Sequence, residues 1–111
     1  MNKETIEMII ANLAKQGYEF KPERKEIKDE TIFVDYGDCM FYFNFEKAGL
    51  NIRVVLKLDY KLTFDQENVD YLNSITSYWS IYKHWIEFNY KPNNENELKS
   101  TLHQLLESYN S

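Results

Sequence analysis

The chain has 111 residues with 13 Lys plus Arg against 18 Asp plus Glu, a mild net charge of -5, and it carries nine Tyr, seven Phe and two Trp beside three Gly and two Pro. Apolar residues make up 43% and charged residues 28%, which excludes a disordered chain and a membrane-embedded one by composition. One cysteine, Cys39, forms no internal disulfide and cannot build a cysteine-based zinc site.

The length argues for one domain spanning residues 1–111. Glu4 and Glu7 interrupt the N-terminal apolar residues, so a signal peptide is not expected. No run approaches the ~18 apolar residues of a membrane span. A cytoplasmic, soluble protein is the expectation, with no membrane partner.

Residues 3–16 read as a helix, because Ile6, Ile9, Ile10 and Leu13 recur at helical spacing, and Gly17 stands where a left-handed cap would end it. Tyr18 and Phe20 alternate as a short edge strand. The charged stretch that follows, Pro22 to Glu30, reads as a solvated connection.

The centre alternates with period two. Thr31 to Tyr36 places Ile32, Val34 and Tyr36 on one side. After a turn at Gly37-Asp38, Cys39 to Glu46 sets Cys39, Phe41, Phe43 and Phe45 against Met40, Tyr42, Asn44 and Glu46. Lys47-Ala48-Gly49 turns the chain again. Leu50 to Lys61 then sets Leu50, Ile52, Val54, Leu56, Leu58 and Tyr60 against Asn51, Arg53, Val55, Lys57, Asp59 and Lys61. Such short connections make an antiparallel meander with one face toward the core.

Thr63-Phe64-Asp65-Gln66 has the form of a capping box, opening a helix to about Ser77 with Val69, Leu72 and Ile75 inward. Residues 80–90 fit either a strand or a continued helix. Their aromatic and β-branched content favours the strand. Pro92 ends it, Asn94-Glu95-Asn96-Glu97 forms a second capping box, and a last helix runs to about Tyr109 with Leu98, Leu102, Leu105, Leu106 and Tyr109 on one face. The expected fold is α+β, an antiparallel meander sheet packed with helices in the order α-β-β-β-β-α-β-α.

Much chemistry is missing. The three glycines stand alone, so no loop can cradle a nucleotide phosphate. The two histidines, His84 and His103, lie in no metal-ligand spacing; His84 reads as a packed strand residue and His103 as a flank of the last helix. Cys39 falls on the Phe41/Phe43 side, where burial would leave an inert thiol. No catalytic residue, metal ligand or cofactor is expected. Arg53, Lys57 and Lys61 are too few for nucleic acid, since strong binding neutralises about 6–10 phosphates.

What remains is a surface. With 80–90 as one strand, Ile81, Lys83 and Trp85 share its polar side. Tyr42, Arg53, Val55 and Lys57 occupy the matching outer side of the meander. Aromatic and aliphatic groups framed by charge have the composition of a protein-binding hot spot. The alternative is that a helix covers this face and Trp85 is core. The functional expectation is a non-catalytic protein-binding module, a small acidic inhibitor, immunity-type or viral antagonist protein. A nucleic-acid mimic using Asp65, Glu67 and Asp70 is an alternative.

The element order resembles that of class I type III secretion chaperones, which are small, acidic and usually dimeric. The resemblance implies partner-protein binding, a homodimer, and paired strands between the last two helices, here confined to residues 80–90. It rests on order, so no functional residue is carried over.

Overall fold

A computed structural model describes residues 1–16, 20–57, 66–82 and 84–109. The expected Gly17 cap, Tyr18, the strand end at 58–61, the Thr63 capping box, Asp65 and Lys83 lie outside them. The fold is α+β: α1 (Lys3–Gln16), β1 (Arg24–Lys28), β2 (Thr31–Asp35), β3 (Cys39–Glu46), β4 (Gly49–Lys57), α2 (Gln66–Ile75), β5 (Trp79–Ile81), β6 (Trp85–Tyr90) and α3 (Glu95–Tyr109). All strand pairs are antiparallel, and the sheet order is β1-β2-β3-β4-β6-β5.

The meander forms where the alternation places it. Phe41 pairs with Val34 on one side and Val54 on the other; Phe43 pairs with Ile32 and Ile52. These residues make the inner face and are buried together with Ile6, Ile9, Ile10 and Leu13 of α1, Leu72 of α2, and Leu98, Leu102, Leu105 and Leu106 of α3. Burying such side chains is worth roughly 1.5–3 kcal/mol each, and it is what holds three otherwise marginal helices.

Local chemistry sets the ends. Asn2 Oδ1 accepts the Thr5 amide at 2.9 Å, capping α1. At α3, Asn94 Oδ1 accepts the Glu97 amide at 2.8 Å, while Glu97 reaches back to the Asn93 amide at 3.0 Å instead of the Asn94 amide of a regular capping box. Gly49 turns β3 into β4 at φ 120°, a conformation that side-chain-bearing residues rarely adopt.

Two expectations are corrected. The first strand is Arg24–Lys28, inside the stretch read as a charged loop. It pairs with β2 through a two-residue turn in which Asp29 has φ 52°. As an outer strand exposed along its whole length, it has no apolar face to bury, so its composition reads as a loop. Phe20, expected in a strand, instead packs into the core.

The second correction is at 80–90, which is a hairpin and not one strand. β5 and β6 pair as Trp79↔Phe88, Ser80↔Glu87 and Ile81↔Ile86, so the chain reverses between Tyr82 and Trp85. The expected strand order therefore gains one member between α2 and α3. The turn lacks the Asn-Gly type of signal that marks tight hairpins.

Candidate functional site

The helices leave the other face of the sheet open. Outer residues alternate with the inner ones: Arg24, Phe33, Met40 and Tyr42, Arg53, Val55 and Lys57, then Trp85 and Glu87. None of them belongs to the cluster that the helices bury.

Their side chains form a row across the sheet. The Arg24 guanidinium lies 5.0 Å from the Phe33 ring centroid, and Phe33 lies 4.7 Å from Tyr42. Arg53 lies 5.1 Å from Tyr42 on the far side and is ion-paired and hydrogen-bonded to Glu87. Glu87 Oε2 in turn accepts the Trp85 indole N–H at 3.3 Å, and Trp85 stacks on Tyr82 at 5.1 Å. Each cation–π contact contributes about 0.5–1 kcal/mol at such exposed positions. The hydrogen bond from Arg53 holds the Glu87 carboxyl below its usual range, and the same bond raises the Arg53 guanidinium.

Beside this row lies an open pocket of about 500 Å³. Met40, Tyr42, Val55 and Trp85 give it apolar walls, and Asp38, Arg53, Lys57 and His84 give it a polar rim. Arg53 is already satisfied by Glu87, whereas Lys57 has no side-chain partner among the described residues. A second recess of about 330 Å³ lies across Tyr42, toward Arg24, Lys28 and Phe33, so the Tyr42 ring borders both.

Of the residues singled out from sequence, Tyr42, Arg53, Val55, Lys57 and Trp85 all line the larger pocket. Ile81 does not join them. Its partner in the hairpin is Ile86 of the inner face, which sets Ile81 on the helix side of the sheet. The expectation that Ile81 and Trp85 share a face is therefore corrected; the turn between them reverses the alternation. Lys83 lies outside the described residues. The alternative in which a helix buries Trp85 does not hold, because Trp85 is only half-buried and stands apart from the core cluster.

Sequence reasoning passed over Phe33, Met40 and His84. Phe33 and Met40 were signalled by alternation, since their neighbours Ile32, Val34, Cys39 and Phe41 face inward. His84 was expected packed in a strand and is instead exposed in the hairpin turn.

Other titratable groups have structural explanations. Burial pushes the Cys39 thiol well above its usual range, with Asp38 and Asp35 adding to the shift. Burial likewise raises Tyr36. Tyr90 is raised by burial too, with its hydroxyl 3.1 Å from both Glu97 and Thr101. The His103 ring lies tilted against Phe20 at 5.2 Å and approaches Glu107 at 3.5 Å. Among the described residues no group of His, Cys, Asp and Glu is arranged to hold a metal ion, and no helix is long and apolar enough to cross a membrane.

Comparison with known proteins gives no family: no family model matches the chain, and no curated protein or solved structure matches it significantly.

Proposed function

We propose that this protein is a non-catalytic module that acts by binding another protein through the outer face of its sheet, in the manner of a small inhibitor. The observation that carries the reading is the pocket between Tyr42 and Trp85, apolar in its walls and left open by all three helices. Half-buried aromatic side chains held rigidly by neighbours lose little entropy on binding, which is why Trp, Tyr and Arg dominate interface energetics.

The pocket's charge specifies the partner's chemistry. Arg53 is neutralised internally by Glu87, and Lys57 supplies an ammonium without a side-chain partner among the described residues. The segment that fits presents an apolar or aromatic side chain beside a carboxylate. The apolar group fills the pocket, and the carboxylate reaches Lys57. Each is a modest contribution, and together they discriminate against neutral or basic segments.

The non-catalytic reading is supported by the chemistry of the shifted groups. Cys39 is sealed in the core with a raised pKa, so it is a poor nucleophile. Glu87 and Arg53 satisfy each other, so neither of these two is poised as a general acid or base. The lone reduced thiol suits a reducing compartment such as the cytoplasm.

The test is capture of a partner by the wild type, compared with Trp85→Ala and Lys57→Glu. Both variants are expected to keep the wild-type fold by circular dichroism and to lose the partner. Equal binding by wild type and Trp85→Ala would overturn the proposal.

A further inference from the structure

The two edges of the sheet are protected very differently. β1 has the sequence Arg24-Lys25-Glu26-Ile27-Lys28, and charge along an outer strand discourages pairing with another chain. β5 sits at the opposite edge within Tyr78-Trp79-Ser80-Ile81-Tyr82, a stretch without a charge and rich in strand-forming residues. Three large side chains in these five positions stand in solvent: Tyr78 is 74% exposed, Ile81 58% and Tyr82 46%.

The backbone at this edge has a defined polarity. The Tyr82 amide donates to the Trp85 carbonyl at 2.7 Å, so Tyr82 and Trp85 are a hydrogen-bonded pair. Antiparallel ladders alternate, and therefore Ser80 also bonds toward β6, while Trp79 and Ile81 direct their N–H and C=O groups away from it. Those are the groups an added strand would meet. Among the described residues no strand lies beyond β5.

We infer that β5 pairs with β5 of a second copy of this chain, antiparallel about a two-fold axis at Ser80. The segment is self-complementary about that residue. Tyr78 falls opposite Tyr82 of the other copy, and Trp79 falls opposite Ile81. Parity agrees, because Trp79 and Ile81 are the residues with outward backbone groups, so each Trp79/Ile81 pair makes both of its hydrogen bonds. On the helix side, Ile81 covers the edge of Trp79, which already packs against the core. On the outer side the four tyrosines flank two serines. Ser80 then lies in a pair where the two strands approach most closely, and its small side chain suits that position. The two sheets join into one, with two outer pockets facing the same way. An edge contact this short makes a weak, concentration-dependent dimer, below the size of a permanent interface. The inference does not depend on what the outer pocket binds.

The experiment compares the wild type with Ile81→Lys and Ile27→Lys by sedimentation, from micromolar to millimolar concentration. Both positions are exposed edge-strand isoleucines, and a melt confirms that each variant folds. The wild type and Ile27→Lys are expected to pass from one to two monomer masses together. Ile81→Lys is expected to weaken the dimer about a hundredfold or more, because symmetry removes two buried isoleucines at once. Hydrogen exchange adds the register: the Trp79 and Ile81 amides of the wild type become protected as concentration rises, and the Trp79 amide of Ile81→Lys does not. A wild type that stays monomeric overturns the inference. So does a dimer that tolerates Ile81→Lys, or one in which both lysine variants dissociate alike. Amides at 79 and 81 that exchange at the same rate at both ends of the range also overturn it.

Discussion

Both faces of the sheet are rich in aromatic rings, and they use those rings in opposite ways. Phe41 and Phe43 on the inner face are closed in by apolar and aromatic neighbours and by helices. Tyr42, between them in the chain, stands on the outer face between two cavities with Arg53 against its ring. Inner rings stabilise the fold by leaving water. Outer rings are held by cations and by one another, and Tyr42 and Trp85 keep part of their surface exposed. A ring that is rigid before binding loses little on binding. In the proposed reading, one side of the strands folds the chain and the other meets the partner.

The most direct way to break this comparison is to truncate a ring on each side. Phe41→Ala is expected to cost about 3–5 kcal/mol, because it opens a cavity where nothing can collapse. Chemical denaturation checks this. A loss near 1 kcal/mol would mean that the inner face is loosely packed and the contrast is false.

Phe33→Ala probes the most buried ring of the outer side. Phe33 is only 7% exposed, yet Arg24 and Tyr42 cover it, not a helix. The expected loss is about 2–3 kcal/mol, less than for Phe41 because flexible side chains can settle into the space. Trp85→Ala should cost less still, about 1–2 kcal/mol, since the indole is half-buried. The denaturation midpoints of the three variants should therefore fall in that order. If Trp85→Ala matched Phe41→Ala, the indole would belong to the core and the recognition surface would have to lie elsewhere.

How much of this was legible from sequence follows from what each signal measures. Alternation reports burial on one face, so Ile32, Val34, Phe41, Phe43, Ile52 and Val54 were placed correctly, and the outer position of Tyr42 and Arg53 came with them. β1 gave no such signal. Residues 24–28 bury nothing, and only their pairing with Phe33 and its neighbours makes them a strand. The hairpin at 79–90 was lost for a different reason. Both of its strands are aromatic and β-branched, and the sequence between Tyr82 and Trp85 carries no glycine, so period two runs on unbroken. That one missed reversal put Ile81 on the wrong face and hid the exposure of His84. The row from Arg24 to Trp85 joins five strands, and no local pattern records cross-strand contacts of that kind.

A smaller effect sharpens the comparison at the helix layer. Asn94 accepts the Glu97 amide at the start of α3. Asn94→Ala is expected to lower stability by about 1 kcal/mol, whereas Asn94→Asp should leave it nearly unchanged. A thermal melt separates the two variants, and an equal loss in both would show that the cap is not the source of the effect.

The smallest effect tests the polar link in the outer row. The Arg53 guanidinium hydrogen-bonds Glu87 and lowers its pKa in the folded state. A carboxyl whose folded pKa lies below its unfolded value adds stability above the unfolded pKa and loses it as pH falls through the folded one. The stabilisation is therefore fully present at neutral pH and disappears on acidification below the ordinary glutamate range. Because Arg53 is 44% exposed and Glu87 21%, solvent screening limits it to about 0.2–1 kcal/mol. Glu87→Gln should be less stable than wild type by that amount at neutral pH, and the gap should close in acid. It should also narrow in high salt, since exposed charge pairs are screened. A gap that stayed constant with pH would assign the loss to the Trp85 indole, which donates to the same carboxylate. The row would then be held by packing and neutral hydrogen bonds, and Arg53 would be free to meet a partner's carboxylate beside Lys57.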